Sequence, residues 1–394
     1  MKISLPYRVL FAASTLFSIC AANAFAATSS SPHYVVTNDD SFTIGATGVS
    51  FYAVGAAGQL TLQQQVLTGG AGIGGGYFAP NRVVALDSGR AQCVYASEAF
   101  TGDVVGISVS TLTVGGSAFG SPTDAGTSNG IGLAVNSQYL YASFTDSSTI
   151  GTFQVQSGCG LSFVNDASVL GLQGGVISGM AIHGDILVAT YNDGSIESFN
   201  ISSGVPVSNG DKQNSSAYVS SQGATYPNGI DITEDGHFAI FGDTASQTVV
   251  EVSDISSGLL TKTIAYTLAP TRNSSNVMLS PDETLLYISN SQGDGITAAT
   301  FDASTGKLSG VCASPALRNY VSSFSYLGSL ALENNSGNGG VLYAAEFGTQ
   351  SGIAVVQVGS SGGKCTLTEL SSSPVNDPYS LWLLSIAGFP PRPF

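Results

Sequence analysis

A chain of 394 residues with 43% hydrophobic side chains carries enough apolar material to bury a core, which excludes compositional disorder. Eleven Lys and Arg stand against 26 Asp and Glu, a formal charge of −15, so the surface repels phosphate and neither nucleic acid nor an anionic membrane face is a fitting partner. Only 9% of the residues are charged and 49 are Gly, a balance that favours tight turns between short strands.

The first 26 residues read as a secretory signal peptide. Lys2 and Arg8 precede an apolar run from Val9 to Ala22, and Ala22-Asn23-Ala24 or Ala24-Phe25-Ala26 offers a small-residue cleavage site. The run is shorter than the roughly 20 residues that a spanning helix needs, and no second span follows. The bulky Ile19 before Cys20 argues against a lipoprotein. The chain is therefore expected to be secreted or periplasmic and not membrane-spanning, with residues 27–394 forming a single domain that works as a monomer.

From residue 33 onward one unit recurs. Its most regular copy is "SPDETLLYISNSQGDGITAATFDASTGKLSG", Ser280 to Gly310. Segments equivalent to its "LLYISN" centre on Val35, Tyr95, Tyr141, Val188, Ala239, Tyr287 and Tyr343. In six of them a second apolar segment lies just before, as in "PNRVVAL" or "PNGIDI", and two more strand-like runs follow. Seven units of about four short strands at this period predict an all-β fold, a seven-bladed β-propeller of antiparallel blades. The first unit lacks its inner strand, and "PYSLWLLSIAG", Pro378 to Gly388, supplies that pattern after the seventh. A C-terminal strand is thus expected to close the ring.

Cys93, Cys159, Cys312 and Cys365 are spaced by 66, 153 and 53 residues, too far apart for a zinc site; three disulfide pairings, or buried free thiols, remain open. Asn200, Asn214, Asn273 and Asn334 head Asn-x-Ser sequons. "GGAGIGGG", Gly69 to Gly76, has no Lys and no helix after it and reads as a loop, and no nucleophile elbow occurs.

The repeat resembles that of the lactonase-type seven-bladed propellers, the family of 6-phosphogluconolactonase and the carboxymuconate cyclases. "YVVTN", Tyr34 to Asn38, is similar to its Tyr-Val-Thr-Asn surface-protein repeats. The resemblance covers nearly the whole mature chain and implies a fold more strongly than an activity. It implies hydrolysis or isomerisation of a lactone, with a lactone or carbohydrate-like molecule as partner. The alternative is a non-catalytic propeller that binds a ligand or protein at the cell surface or in the periplasm. "PNGIDITEDGHFAIFGDT", Pro227 to Thr244, is similar to the gluconolactonase and regucalcin type, in which such an Asn binds a divalent cation; a cation such as Ca²⁺ would then involve Asn228 and Asp243.

Strands running from the axis outward sort the polar residues by face. The ends of the second strands carry Asp39, Asp40, Glu98, Asp146, Asp193, Asp243, Asn290 and Glu346, and the starts of the inner strands carry Asn81, Arg82, Asn129, Asn228 and Asn276, with Arg272 and Arg318 in adjoining links. For lactone opening, Glu98 or Glu346 is the expected base, and Arg82 or Arg318 the clamp for a developing oxyanion. The competing reading makes these residues turn formers and solvated loop acids. His33, His183 and His237 fall at turns on the opposite face, and Pro80-Asn81 and Pro227-Asn228 stand where family inner strands often open on Pro-His. The acidic chain also makes a phosphorylated sugar lactone an awkward substrate.

Overall fold

In this computed structural model seven radial sheets follow one another around an axis, and each inner strand lies at the edge of its sheet. The structure describes residues 32–394 except 40, 73–80, 90, 120–130, 216–226, 244–248, 269–273, 291–294, 314, 319–325, 334–339, 348–350, 362–363, 381–382, 384 and 393–394. The signal-peptide residues, Asp40, Asn129, Arg272 and the sequons at Asn273 and Asn334 lie outside the described residues. From blade 1 to blade 7 the inner strands are Ile386–Phe389, Val83–Asp87, Ile131–Val135, Ile177–His183, Pro227–Ile232, Ser274–Leu279 and Tyr326–Glu333. The second strands are Tyr34–Asn38, Gln92–Glu98, Tyr139–Phe144, Ile186–Tyr191, Phe238–Asp243, Leu285–Asn290 and Val341–Phe347, and every repeat marker sits on one of them. Five blades have four strands. In blade 4 the outermost strand is split into Val207–Ser208 and Gln213–Asn214, and in blade 7 a short piece, Val375–Asn376, joins Lys364–Glu369 on the outer side.

The second strands are buried on both faces, since a neighbouring blade covers each side. Tyr95, Tyr141, Tyr191 and Tyr343 are at most 1% exposed there and fill the spaces between blades. Each such space forms its own apolar cluster, as with Leu86, Tyr95, Ile131, Leu133 and Phe153 between blades 2 and 3. Serine hydroxyls stitch blade to blade beneath the apolar layer: Ser97 Oγ donates to Ile131 O at 2.9 Å and Ser289 Oγ to Gly328 O at 2.7 Å.

Ring closure comes from the expected C-terminal stretch. Among the described residues Ile386–Phe389 pairs antiparallel with the first blade, with Thr37 opposite Ile386 and Tyr34 opposite Phe389; residues 381, 382 and 384 lie outside the described residues. Serines hold this strand on both sides. Ser385 Oγ accepts from the backbone N–H groups of Arg82 and Val83 in blade 2 at 2.9 and 3.2 Å, and Ser329 Oγ in blade 7 accepts from Ile386 N at 2.6 Å.

Past the closing strand, Pro390, Pro391 and Arg392 cross the end of the axis to the far side of the ring. There Arg392 Nη1 donates to Asp231 Oδ2 at 2.9 Å and to Leu279 O at 3.2 Å, and Nη2 to Ile232 O at 3.2 Å and Glu283 Oε1 at 3.4 Å. These groups belong to blades 5 and 6, at the face of the "SPDE" turn. The tail is thus a strap across the ring.

The cysteines pair in sequence order, Cys93–Cys159 and Cys312–Cys365, with Cα separations of 5.6 and 5.5 Å. Each bond ties neighbouring blades together, 2 to 3 and 6 to 7. In the chain-entropy account loops of this length contribute about 4 kcal/mol per bond. Gly106 makes the first close approach feasible, since a Cβ there would collide with the carbonyl of Cys159.

Two truncations separate strand from strap. A chain ending at Ser385 is expected to aggregate or lose its cooperative melting, because it exposes the edge of the first blade. A chain ending at Phe389 keeps the closing strand and loses about 1–3 kcal/mol, the cost of leaving Asp231 and Glu283 without Arg392. Calorimetry of both checks this; a Ser385-terminated chain that melts like the full one contradicts it.

Candidate functional site

The links that follow the second and fourth strands share one face, and two described links, 68–72 and 169–176, lie over the carboxylates of Glu98 and Asp193. Blade 4 shows what such a residue does when fully partnered. Asp193 accepts from the backbone N–H groups of Gln173 and Gly175 at 2.7 and 2.9 Å, and from Ser195 N and Oγ at 3.0 and 2.5 Å. Burial works against its charge, but these donors hold the carboxyl below its ordinary range. It anchors the link at 170–176.

Glu98, the last residue of the second strand of blade 2 and so two positions earlier in its repeat than Asp193, behaves in the opposite way. It is fully buried, and its Oε1 receives the Gly70 N–H at 3.3 Å, while Oε2 has no hydrogen-bond partner among the described residues. Burial, then the nearby Asp103 carboxyl, pushes it up to about 7. Asp103, opposite Glu98 in the ladder, is raised by its own burial despite the hydroxyl of Thr101 at 2.6 Å. The link above leaves no room: a Cβ on Gly70 would fall on the Glu98 carboxylate.

A second acid pair lies at the closing seam. Asp39 accepts from Thr37 at 2.5 Å, Ser50 at 2.7 Å and Gln65 at 2.9 Å, yet burial and the charge of Asp377 push it up to about 7. Asp377, in the segment leading to the closing strand, is raised by burial while Tyr379 N–H bonds its Oδ1 at 3.0 Å. Sequence reading saw Asp39 but not Asp377 or Asp103, whose places beside them depend on the blade register.

The remaining predicted residues are dispersed. Glu346 is buried on the second strand of blade 7, one position before its end. Arg82 is 2% exposed at the start of blade 2. Arg318 is half exposed, pairs with Glu369 of the outermost strand of blade 7 at 3.3 Å and donates to Leu370 O, which puts it on the rim. Of the predicted catalytic set none lines the axial channel, and Glu98 and Glu346 belong to different blades. Asn228 and Asp243 are buried neighbours in the blade 5 ladder, where Pro227 faces Asp243, and Asn228 Oδ1 has no hydrogen-bond partner among the described residues. A hard cation asks for six or more oxygens. Among the described residues no three His, Cys, Asp or Glu side chains come together. Two of the histidines on the opposite face pair with acids, His33 with Glu333 at 3.4 Å and His237 with Asp235 at 2.8 Å.

The axial channel forms a concavity of about 230 Å³ lined by residues from all seven inner strands. Asn81 and Asn276 lie at one end, and Asp231 with Pro390, Pro391 and Arg392 at the other. Asn81 Nδ2 reaches Met180 O across the ring at 3.5 Å. No helix among the described residues is long and apolar enough to cross a membrane.

A ring of seven antiparallel blades around a channel, closed by the strand Ile386–Phe389, defines a seven-bladed β-propeller. A family model described as lactonase, 7-bladed beta-propeller, matches residues 94–383, and the chain belongs to that family. Among solved structures, a provisionally assigned 6-phosphogluconolactonase from Bacteroides fragilis is 14% identical, with 92% of this chain and 99% of that one covered at a TM-score of 0.67. Another from Bacteroides uniformis is 14% identical, covering 91% and 100% at 0.68. The periplasmic gluconolactonase of Pseudomonas aeruginosa is 13% identical, covering 90% and 98% at 0.65. At such identities these likenesses speak for the fold alone. No curated protein matches the sequence.

The seam pair gives a pH prediction. Asp39 and Asp377 titrate higher folded than unfolded, so their contribution to stability is full below about pH 4 and is lost as pH rises through about 7. Asp377→Asn keeps the acceptor for Tyr379 and removes the repulsion. Its melting temperature should exceed that of the parent by a few degrees at pH 8, about 1.4 kcal/mol for each pKa unit by which Asp39 falls, and match it near pH 4. An equal gap at both pH values contradicts the assignment.

Proposed function

We propose that the protein is a secreted lactonase-family enzyme that opens the ring of a small uncharged lactone, with the Glu98–Asp103 pair as its acid–base group. The observation that carries this reading is Glu98 itself: a carboxyl raised to about 7 and joined to a second raised acid, poised to take up a proton at neutral pH. The cover over it is a glycine link, Gly69 to Gly72, contributing backbone and no bulky side chain except the methyl of Ala71. Glu98 would take a proton from the attacking water as its oxygen bonds to the lactone carbonyl carbon. It would return that proton to the ring oxygen as the ring C–O bond breaks, giving the hydroxy acid, with Asp103 across the ladder holding the proton near Glu98 in between.

An uncharged substrate agrees with the charge distribution. Arg318, Lys212 and Arg392 each face a carboxylate, Glu369, Glu197 and Asp231 respectively, which leaves them poorly placed to receive a phosphate. Secretion agrees with the N-terminal pattern and with two disulfides. The second reading, a non-catalytic binding propeller, draws on one observation: Glu98 and Glu346 are both fully buried, out of a ligand's present reach.

Turnover of an uncharged lactone panel separates the two. The enzyme reading expects hydrolysis that rises with pH through about 7 as Glu98 loses its proton. It also expects Glu98→Gln to lower kcat by about 100-fold or more while Glu346→Gln leaves it within a few fold, and chelator to have no effect. Full activity in Glu98→Gln refutes this site, and no turnover on any lactone leaves the binding reading.

A further inference from the structure

We propose that Asp39 and Asp377 hold a Ca²⁺ ion between blade 1 and the segment that leads to the closing strand. The ion fastens the ring and takes no part in turnover.

The register of blade 1 assembles one half of the site. Thr37 lies opposite Ser50, and Ser50 opposite Gln65, so the three side chains share one side of the blade. All three converge on Asp39 just past the strand: Thr37 Oγ and Ser50 Oγ donate to it at 2.5 and 2.7 Å, and Gln65 Nε2 at 2.9 Å. Tyr52, two residues beyond Ser50, lies on the same side and packs with Tyr343 and Ile353 at the seam with blade 7.

The other half comes from blade 7. Asp377 follows the short strand Val375–Asn376, donates its N–H to Ser351 O at 3.1 Å and receives the Tyr379 N–H on Oδ1 at 3.0 Å. The charge of Asp377 acts on Asp39, and both act on the phenol of Tyr52, so the three groups meet across the seam.

Two features mark this meeting point as a cation site. First, oxygens are left over deep inside it. Asp377 Oδ2, Tyr52 Oη and Ser380 Oγ have no hydrogen-bond partner among the described residues, and these residues are 3%, 1% and 7% exposed. The phenol lies beside Asp377 without closing a hydrogen bond to it. Orphaned oxygens at that depth are costly unless a ligand takes them up. Second, the two carboxylates lack a counter-charge, for neither forms an ion pair among the described residues.

The donor set selects the ion. Its donors are oxygens, which suit a hard cation, and no His or Cys acts on either acid to favour a transition metal. Two carboxylates match a divalent charge. Asp39, Asp377, Tyr52 and Ser380 offer one oxygen each, and Thr37 and Ser50 keep hydroxyl lone pairs after donating to Asp39. That set reaches the lower bound of about six for Ca²⁺, without the water shell that Mg²⁺ retains.

Chelated protein at pH 8 is titrated with Ca²⁺ and with Mg²⁺ at constant ionic strength, and followed by titration calorimetry and melting temperature. One Ca²⁺ per chain is expected, with a melting temperature at least about 3 °C higher at saturation and Mg²⁺ at least tenfold weaker. Asp377→Asn melts above the parent without Ca²⁺, and with Ca²⁺ the parent should overtake it. Tyr52→Phe removes one oxygen and keeps the ring packed; it should weaken Ca²⁺ at least threefold, and it keeps the test decisive if Asp377→Asn does not fold. The proposal is overturned if Ca²⁺ leaves the parent unchanged or if Mg²⁺ binds as tightly. It is also overturned if both variants gain as much as the parent, which would place the ion on the acidic surface. The Glu98 assay reads turnover and this one reads binding and melting, so each can fail without the other.

Discussion

The structure depends on the pairing of Tyr34–Asn38 with Ile386–Phe389, the first and last described strands meeting as neighbours in one sheet. Six blades are local: their four strands follow one another in sequence and could pair as soon as they are made. The first blade is not, and until it forms the ring has two open sheet edges and an unpacked interface on each side. The entropy of closing so long a loop grows only with the logarithm of its length. The gain is an entire blade interface, where Val35, Tyr52, Tyr343, Ile353 and Ile386 lose their contact with water together.

Closure also decides where chemistry can occur. It turns seven inner edges toward one axis and gathers the second-strand acids under a common layer of links. Within that layer two acids, Asp193 just past its second strand and Glu98 at the end of its own, are tuned in opposite directions. Asp193 meets four donors and stays charged, whereas Glu98 meets one long amide contact and a second acid and is driven toward neutrality. The strap adds a further asymmetry, since Arg392 engages acids on the face opposite those links.

The architecture was legible because a propeller writes its period into the chain: all seven markers fall on second strands, and the C-terminal stretch expected to close the ring contains all but the last residue of the closing strand Ile386–Phe389. Polar residues were legible by face but not by partner. Arg318 looked like a clamp because its link belongs to the right face, yet its pairing with Glu369 takes it to the rim. Asp377 and Arg392 gave no local signal, because what matters about them is a residue in another blade. The disulfides were ambiguous for the same reason, since spacing alone does not say which blades are adjacent.

Hydrogen–deuterium exchange under native conditions tests most directly whether closure governs the whole ring. If it does, the amides of Ile386–Phe389 and of Tyr34–Asn38 are protected to the same free energy as the second strands of blades 3 to 6, because opening the seam unfolds the rest. Rapid exchange of the closing strand while those central blades stay fully protected would show that the ring stands without its latch and would contradict the account.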